Sequence, residues 1–162
     1  LNDNQLTGSI AWDYLPQHIE YLYLGNNEFV GDIDFDALNS YANLTALYLS
    51  NNNLRDALLW HEYNTQTPSL QYLFLTNNQM YGGINFNAMP DSLVYCFLGY
   101  NDFDGSLDFG TAYINDTDNI TDNLMALQYL DVSNNAFTGT VMNIENLPEE
   151  LLYLRLNNND LQ

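Results

Sequence analysis

The residues best equipped for chemistry are few, and they do not converge. His18 and His61 have no serine or cysteine at a catalytic spacing, so neither has a nucleophile to activate. Cys96, the only cysteine, fills an apolar slot in Leu93-x-x-Cys96-x-Leu98, where a buried inert thiol is expected and no intrachain disulfide can form. There is no phosphate-cradling glycine loop and no His or Cys pair at metal spacing, so the expectation is a protein that is not an enzyme and holds no catalytic metal. Carboxylates are abundant, with 21 Asp and Glu against two arginines (Arg55, Arg155) and no lysine, giving a formal charge of −19. That balance argues against nucleic acid or an anionic membrane as partner. No apolar run approaches the roughly 18 to 20 residues that span a bilayer, so no membrane insertion is expected. Asp13, Asp32, Asp34, Asp36 and Asp108 read as an outward acidic stripe on a second strand, most simply a solvated face, whose repulsion calcium or salt would relieve. Asp116-Thr-Asp118-Asn119-Ile-Thr-Asp122 resembles part of a calcium loop without its glycine and terminal glutamate. Calcium is therefore the one candidate ion, and no cofactor is expected.

Those residues must be placed by a repeated frame. Leu127 to Gly139, LQYLDVSNNAFTG, has the form L-x-x-L-x-L-x-x-N-x-F-x-G, with Leu127, Leu130 and Val132 alternating inward and Asn135 turning its amide towards unpaired loop backbone. The same phase returns at Ile19, Leu22 and Leu24, at Leu44, Leu47 and Leu49, at Leu70, Leu73 and Leu75, at Leu93, Cys96 and Leu98, and at Leu151, Leu154 and Leu156. The asparagines Asn4, Asn27, Asn52, Asn78, Asn101, Asn135 and Asn159 follow at intervals of 23, 25, 26, 23, 34 and 24 residues. One such unit cannot bury its own apolar face, so the units must stack. The array resembles leucine-rich repeats over essentially the whole chain. G-x-[ILV] at Gly8-Ser-Ile10, Gly31-Asp-Ile33, Gly105-Ser-Leu107 and Gly139-Thr-Val141, with Gly83-Ile84 displaced by one, is similar to the plant-type class, whose units add a second short strand. The proline that follows the isoleucine in plant units is absent here, which brings the pattern nearer to repeat proteins of protists and algae.

The resemblance implies an α/β solenoid, mostly β: a right-handed, curved leucine-rich repeat superhelix with a parallel β-sheet lining its concave side. It forms one domain over 1–162, about six full repeats after a partial first one. Neither end carries a polar capping unit, so a segment of a longer array is expected. Two turns are irregular. Arg55-Asp-Ala-Leu-Leu-Trp60-His61-Glu62 lacks the glycine and reads as a short helical turn packing Leu59 or Trp60 inward, and 108–123 is a polar insertion that should bulge from the strand face.

In this family the residues between the inward leucines face the open concave surface. One column there reads Tyr21, Ala46, Tyr72, Tyr95, Tyr129 and Tyr153, and the next reads Tyr23, Tyr48, Phe74, Phe97, Asp131 and Arg155. Strands ~4.8 Å apart stack such rings up the solenoid. Aromatics suit a sheet with or without a ligand, but the core already has its own apolar residues on the opposite face. Beside the rings run Gly25, Ser50, Thr76, Gly99 and Ser133, then Asn26, Asn51, Asn77, Tyr100 and Asn134. Rings, low bulk and amide donors suit a protein or a glycan. Asp131 and Arg155 read as a cross-strand ion pair of little worth. Sequons at Asn43, Asn115 and Asn119 favour a glycoprotein at the cell surface or outside the cell, with Asn43, at a strand entry, the most hindered. The expected function is non-catalytic extracellular recognition by the aromatic concave face. The alternative is a structural component of a filament or wall, built from further copies of the chain.

Overall fold

The computed structural model describes residues 1–59, 69–110, 113–114, 120–121 and 126–162. Its spine is a parallel sheet of six three-residue strands, Tyr21–Tyr23, Ala46–Tyr48, Tyr72–Phe74, Tyr95–Phe97, Tyr129–Asp131 and Tyr153–Arg155, paired in chain order. The register places Leu22, Leu47, Leu73, Cys96, Leu130 and Leu154 in one row. In a strand, successive side chains point to opposite faces, so that row enters the core while its neighbours lie on the open face. The flanking residues Leu24, Leu49, Leu75, Leu98 and Val132 are buried with it, and Phe29, Leu54, Met80, Phe103 and Phe137 close the core beyond the asparagine turn.

Past each asparagine the chain forms a second short strand. Thr7–Gly8, Glu28–Gly31 and Asn53–Leu54 make one sheet, and Tyr81–Gly82, Asp102–Gly105, Ala136–Gly139 and Asp160–Leu161 make another. Gly8, Gly31, Gly82, Gly105 and Gly139, each four residues after its asparagine, have φ between 75° and 89°, a conformation open to residues without a Cβ. Gly82, not Gly83, is therefore the glycine in phase, and its unit is not displaced. Asp56 occupies the equivalent place after Asn52. There the second sheet is interrupted, and a bridge from Ala57 to Tyr81, with the Gln79 and Tyr81 N–H groups donating to the Leu54 and Asp56 carbonyls, spans the gap. The expected helical turn does not form in 55–59. The extended backbone at the Ala57 bridge turns Leu58 inward at 4% exposure and Leu59 outward at 61%. Trp60 and His61 lie outside the described residues.

The acidic stripe also needs correction. Asp32, Asp34 and Asp36 follow the second strand instead of lying on it. The alternation Ile33-Asp34-Phe35-Asp36 is the start of a helix, Phe35–Leu38, whose N-cap Asp34 accepts a hydrogen bond from the Ala37 N–H at 2.8 Å. Asn85 does the same for the 3-10 turn Phe86–Ala88, accepting from the Asn87 N–H. Asp108 is half-buried and accepts from the Gly110 N–H and the Asn143 amide. In the 108–123 insertion, Tyr113–Ile114 pairs antiparallel with Ile120–Thr121, while 115–119 lies outside the described residues.

What ties one turn to the next is the inner asparagine. Asn52 donates to the Leu49 carbonyl of its own turn at 2.9 Å and to the Leu24 carbonyl of the preceding turn at 3.1 Å, and its carbonyl accepts from the Phe29 N–H at 3.0 Å. Asn27, Asn78, Asn101, Asn135 and Asn159 repeat this three-point clasp. Asn4, in the first half-unit, is exposed and bonds only to the Leu1 and Asn2 carbonyls.

The residue before each inner asparagine is left-handed. Asp3, Asn26, Asn51, Asn77, Tyr100, Asn134 and Asn158 have φ between 53° and 60°. Asparagine tolerates that region and a bulky tyrosine does not, so the Tyr100 turn is strained. Asn52→Ala should lower stability by roughly 1 to 3 kcal/mol, because it strands buried backbone groups of two turns; chemical denaturation with an unchanged midpoint would show the clasp to be incidental. Tyr100→Asn should gain about 1 kcal/mol and raise the melting temperature by roughly 2 to 4 °C, which calorimetry would register.

Candidate functional site

The open face of the six-stranded sheet carries the two aromatic columns in the expected register. In the second column the ring centroids of Tyr23 and Tyr48 are 4.5 Å apart, those of Tyr48 and Phe74 4.3 Å, and those of Phe74 and Phe97 4.9 Å. In the first, Tyr72 and Tyr95 are 5.1 Å apart, Tyr95 and Tyr129 4.5 Å, and Tyr129 and Tyr153 6.1 Å. Tyr95 also stacks across to Phe97 at 6.4 Å, and Tyr21 to Tyr23 at the same distance. The central rings are near-parallel, with interplanar angles of 6° to 13° between Tyr72, Tyr95 and Tyr129 and of 9° to 10° between Tyr48, Phe74 and Phe97.

This stacking decides what the face displays. A ring sandwiched at 4 to 5 Å presents its edge and, in tyrosine, its hydroxyl, while its faces are taken by its neighbours. Tyr48, Tyr72, Phe74, Tyr95, Phe97 and Tyr129 are accordingly half-buried, whereas Tyr21, Tyr23 and Tyr153 are exposed. Ala46 leaves no open gap in the first column, because it is itself 1% exposed. The Tyr48 hydroxyl is held above the usual phenol range, first by burial and then by the neighbouring Tyr23 and Tyr72 phenols. No hydrogen bond within the described chain uses the hydroxyls of Tyr72, Tyr95 or Tyr129.

The remaining candidates sort themselves by geometry. The Arg155 guanidinium approaches the Asp131 carboxylate at 3.4 Å and lies 5.6 Å from the Tyr153 ring centre. Asp131 is buried and its other oxygen accepts from the Ser133 N–H, while the Arg155 side chain stays 48% exposed. The outer asparagines, expected as ligand donors, each spend one of two amide N–H groups within the chain. Asn77 donates to Asn51 at 2.8 Å, Asn51 to Asn26 at 2.6 Å and Asn26 to Asp3 at 2.7 Å, while Asn158 donates to Asn134 at 2.7 Å. Tyr100, in the same row and 57% exposed, breaks this chain of amides. It was legible beforehand only as a tyrosine in a column of asparagines. Burial pushes the Cys96 thiol up to about 12, consistent with an inert core residue. His18 is exposed on a turn, and His61 is not among the described residues. Asn43 is exposed, with the Thr45 hydroxyl donating to its carbonyl, so hindrance at the strand entry does not bury it. Asn115 and Asn119 lie outside the described residues, as does most of the calcium-like run.

Comparison with known proteins agrees with this frame. The leucine-rich repeat family profile matches residues 43–61 and 126–147. No curated protein sequence matches the chain. Among solved structures, the ectodomain of the Arabidopsis receptor kinase HAESA in complex with an N-terminally extended IDA peptide hormone is 26% identical. It superposes with a TM-score of 0.68 over 98% of this chain and 25% of its own. A leucine-rich repeat ectodomain of a membrane receptor kinase from Arabidopsis thaliana, in complex with Casparian strip integrity factor 2, is 21% identical with a TM-score of 0.72, over 98% of this chain and 18% of that one. A plant ice-binding protein is 21% identical with a TM-score of 0.69, over 99% of this chain and 48% of that one. The chain thus spans a quarter or less of the length of these two receptor ectodomains.

The acidic surface is the other candidate. A cavity of about 170 Å³ is lined by Ile33, Asp34, Phe35, Asp36, Asp56 and Leu59. Among the described residues no three His, Cys, Asp or Glu side chains are placed to share a metal ion. Asp56 accepts from the Ile33 and Ala57 N–H groups, yet its carboxyl is held above the usual range, because desolvation by burial outweighs those two bonds. A carboxyl whose folded pKa is raised favours the fold below its unfolded pKa and loses that contribution as pH rises through the folded value. Asp56→Asn loses one of the two acceptors but removes this pH dependence, so its melting temperature relative to the parent should rise as pH goes from below about 4 to 7. Parallel melting curves across that range would contradict the burial argument.

Proposed function

We propose that this chain, a leucine-rich repeat protein of the plant type, is a non-catalytic extracellular recognition module that holds a protein or peptide partner on its aromatic concave face. The observation that carries the reading is the contrast between an open sheet face filled with stacked rings and the −19 charge of the rest of the chain. Such a strip carries little charge to desolvate, and the Asp131 carboxylate on it is held within the chain by Arg155 and the Ser133 N–H. A parallel sheet usually hides both faces behind helices, whereas this one leaves a face free for a partner. The peptide hormone in the complex of the HAESA ectodomain supports a polypeptide ligand for the shared architecture. Asn43, exposed within an intact sequon, supports an N-glycan and with it an extracellular setting.

Tyr72, Phe74, Tyr95 and Phe97 lie on adjacent central strands and should carry most of the binding energy. Tyr72→Ala combined with Tyr95→Ala should weaken binding of the partner captured from the native source by at least ~2 kcal/mol, about thirtyfold. The core face is untouched, so the fold is retained, at a lower melting temperature because two ring stacks are lost. Retained affinity in that variant, with loss on Asp34→Asn and Asp36→Asn, would move the working surface to the opposite side. Intact-mass analysis of native protein should show added hexose and N-acetylhexosamine on the peptide containing Asn43; an unmodified Asn43 peptide would remove that support for an extracellular setting.

A further inference from the structure

Resting on the concave-face reading, we propose that the ligand is a proline-rich segment in the polyproline II conformation, running along the solenoid axis over the tyrosine column with Tyr100 as its anchor at the rim. Three features point to it. First, the rings expose edges and hydroxyls instead of faces: Tyr72, Tyr95 and Tyr129 are stacked 5.1 and 4.5 Å apart, and among the described residues their hydroxyls have no partner. A sugar ring that binds by lying flat on an aromatic face finds the central faces occupied. A polyproline II chain has no internal hydrogen bonds, and proline offers a carbonyl acceptor without an N–H donor. A row of phenol donors set among apolar ring edges complements that acceptor-only backbone.

Second, the repeats are commensurate. Polyproline II advances ~3.1 Å per residue with three residues per turn, about 9.3 Å in all. Neighbouring strands lie ~4.7 to 4.9 Å apart, so two rungs of the ladder cover about 9.4 to 9.8 Å. Every third residue of the ligand therefore meets every second tyrosine, so backbone carbonyls reach the phenol hydroxyls in register while the pyrrolidine rings rest on the ring edges. Third, the face is electrically suited to such a segment. Asp131 and Arg155 neutralise each other on the strip, and the −19 charge around it repels acidic peptides and draws basic residues flanking the prolines.

Tyr100 supplies what the stacked rungs lack. It is 57% exposed and it replaces an asparagine where six other turns keep Asn or Asp in the left-handed conformation. It also interrupts the outer amide row between Asn77 and Asn134. A residue kept at a cost in backbone strain, with a free aromatic ring, is where a proline ring can pack flat.

The test is a fluorescence anisotropy titration of the chain with a labelled peptide of about nine prolines, three polyproline turns, flanked by lysine pairs. A Gly-Ser peptide of equal length and flanks is the control, and an N-acetylglucosamine hexamer is the competitor. The proline peptide should bind at least ~tenfold more tightly than the Gly-Ser peptide near 0.15 M salt, where long-range charge effects are largely screened. Tyr100→Asn should lose ~tenfold in affinity while melting no lower than the parent, so a damaged fold cannot explain the loss. Tyr95→Phe, which keeps the ring and removes only the hydroxyl, should weaken binding several-fold. Equal binding of the two peptides, no saturable binding of the proline peptide, displacement by the sugar, or full affinity in Tyr100→Asn would each overturn the proposal. If the proline peptide fails while Tyr72→Ala with Tyr95→Ala still abolishes capture of the native partner, the concave-face reading survives without this ligand. If that double variant binds the proline peptide as the parent does, the ladder is not its site and the proposal falls.

Discussion

A single inward-turned asparagine amide per turn governs the molecule. Wherever a short strand ends and the chain turns, backbone groups point into a region that water cannot reach, and each left unpaired would cost about 1 to 3 kcal/mol. The inner asparagine answers with two donors and one acceptor, shared between its own turn and the one before it. Because both turns are gripped by the same side chain, their separation is fixed at the spacing of hydrogen-bonded strands. The leucine rows can then close over one another without gaps, and Leu47, Leu73, Cys96 and Leu130 reach complete burial.

The same spacing sets the properties of the open face. Rings attached to strands ~4.8 Å apart are close enough to stack with an offset and too close for anything to slip between them. The aromatic columns thus stabilise the sheet they sit on, and in doing so they exchange their faces for edges. Structure and recognition are not alternatives here: the contacts that order the ladder also determine that a partner meets hydroxyls and ring edges. The charge pair at the far end of the second column follows the same logic, since Asp131 is held by Ser133 and Arg155 and offers little to a newcomer.

The sequence shows its solenoid plainly because one residue type per row does one job. Leucine rows, the inner asparagines and the aromatic columns could all be placed, since periodicity alone decides which way a strand residue points. Where a residue type serves two jobs, the reading failed. Asp34 and Asn85 alternate with apolar neighbours as a strand would, yet they cap short helical turns, because a carboxylate or amide at that place can accept from a backbone N–H two or three residues on. The pair Gly82-Gly83 hid which glycine has the positive φ, and only the distance from Asn78 resolves it. Leu58 and Leu59 are equally apolar, and their facing depends on a bridge from Ala57 to a neighbouring turn that no local pattern encodes. The hydrogen-bonded row of outer asparagines was also hidden, because a sequence does not show that equal amides in neighbouring turns will bond to each other.

That outer row has a mechanical consequence. Between Asp3 and Asn77 every amide donates in the same direction, towards the start of the chain, so those turns are stitched twice, once inside the core and once along the rim. At Tyr100 the rim stitch is missing, and it resumes only between Asn134 and Asn158. Bending of the solenoid is therefore resisted unevenly. Compliance concentrates on the turn of Tyr100, where a small change in curvature opens or closes the rim without disturbing the buried clasp that holds the turns in register.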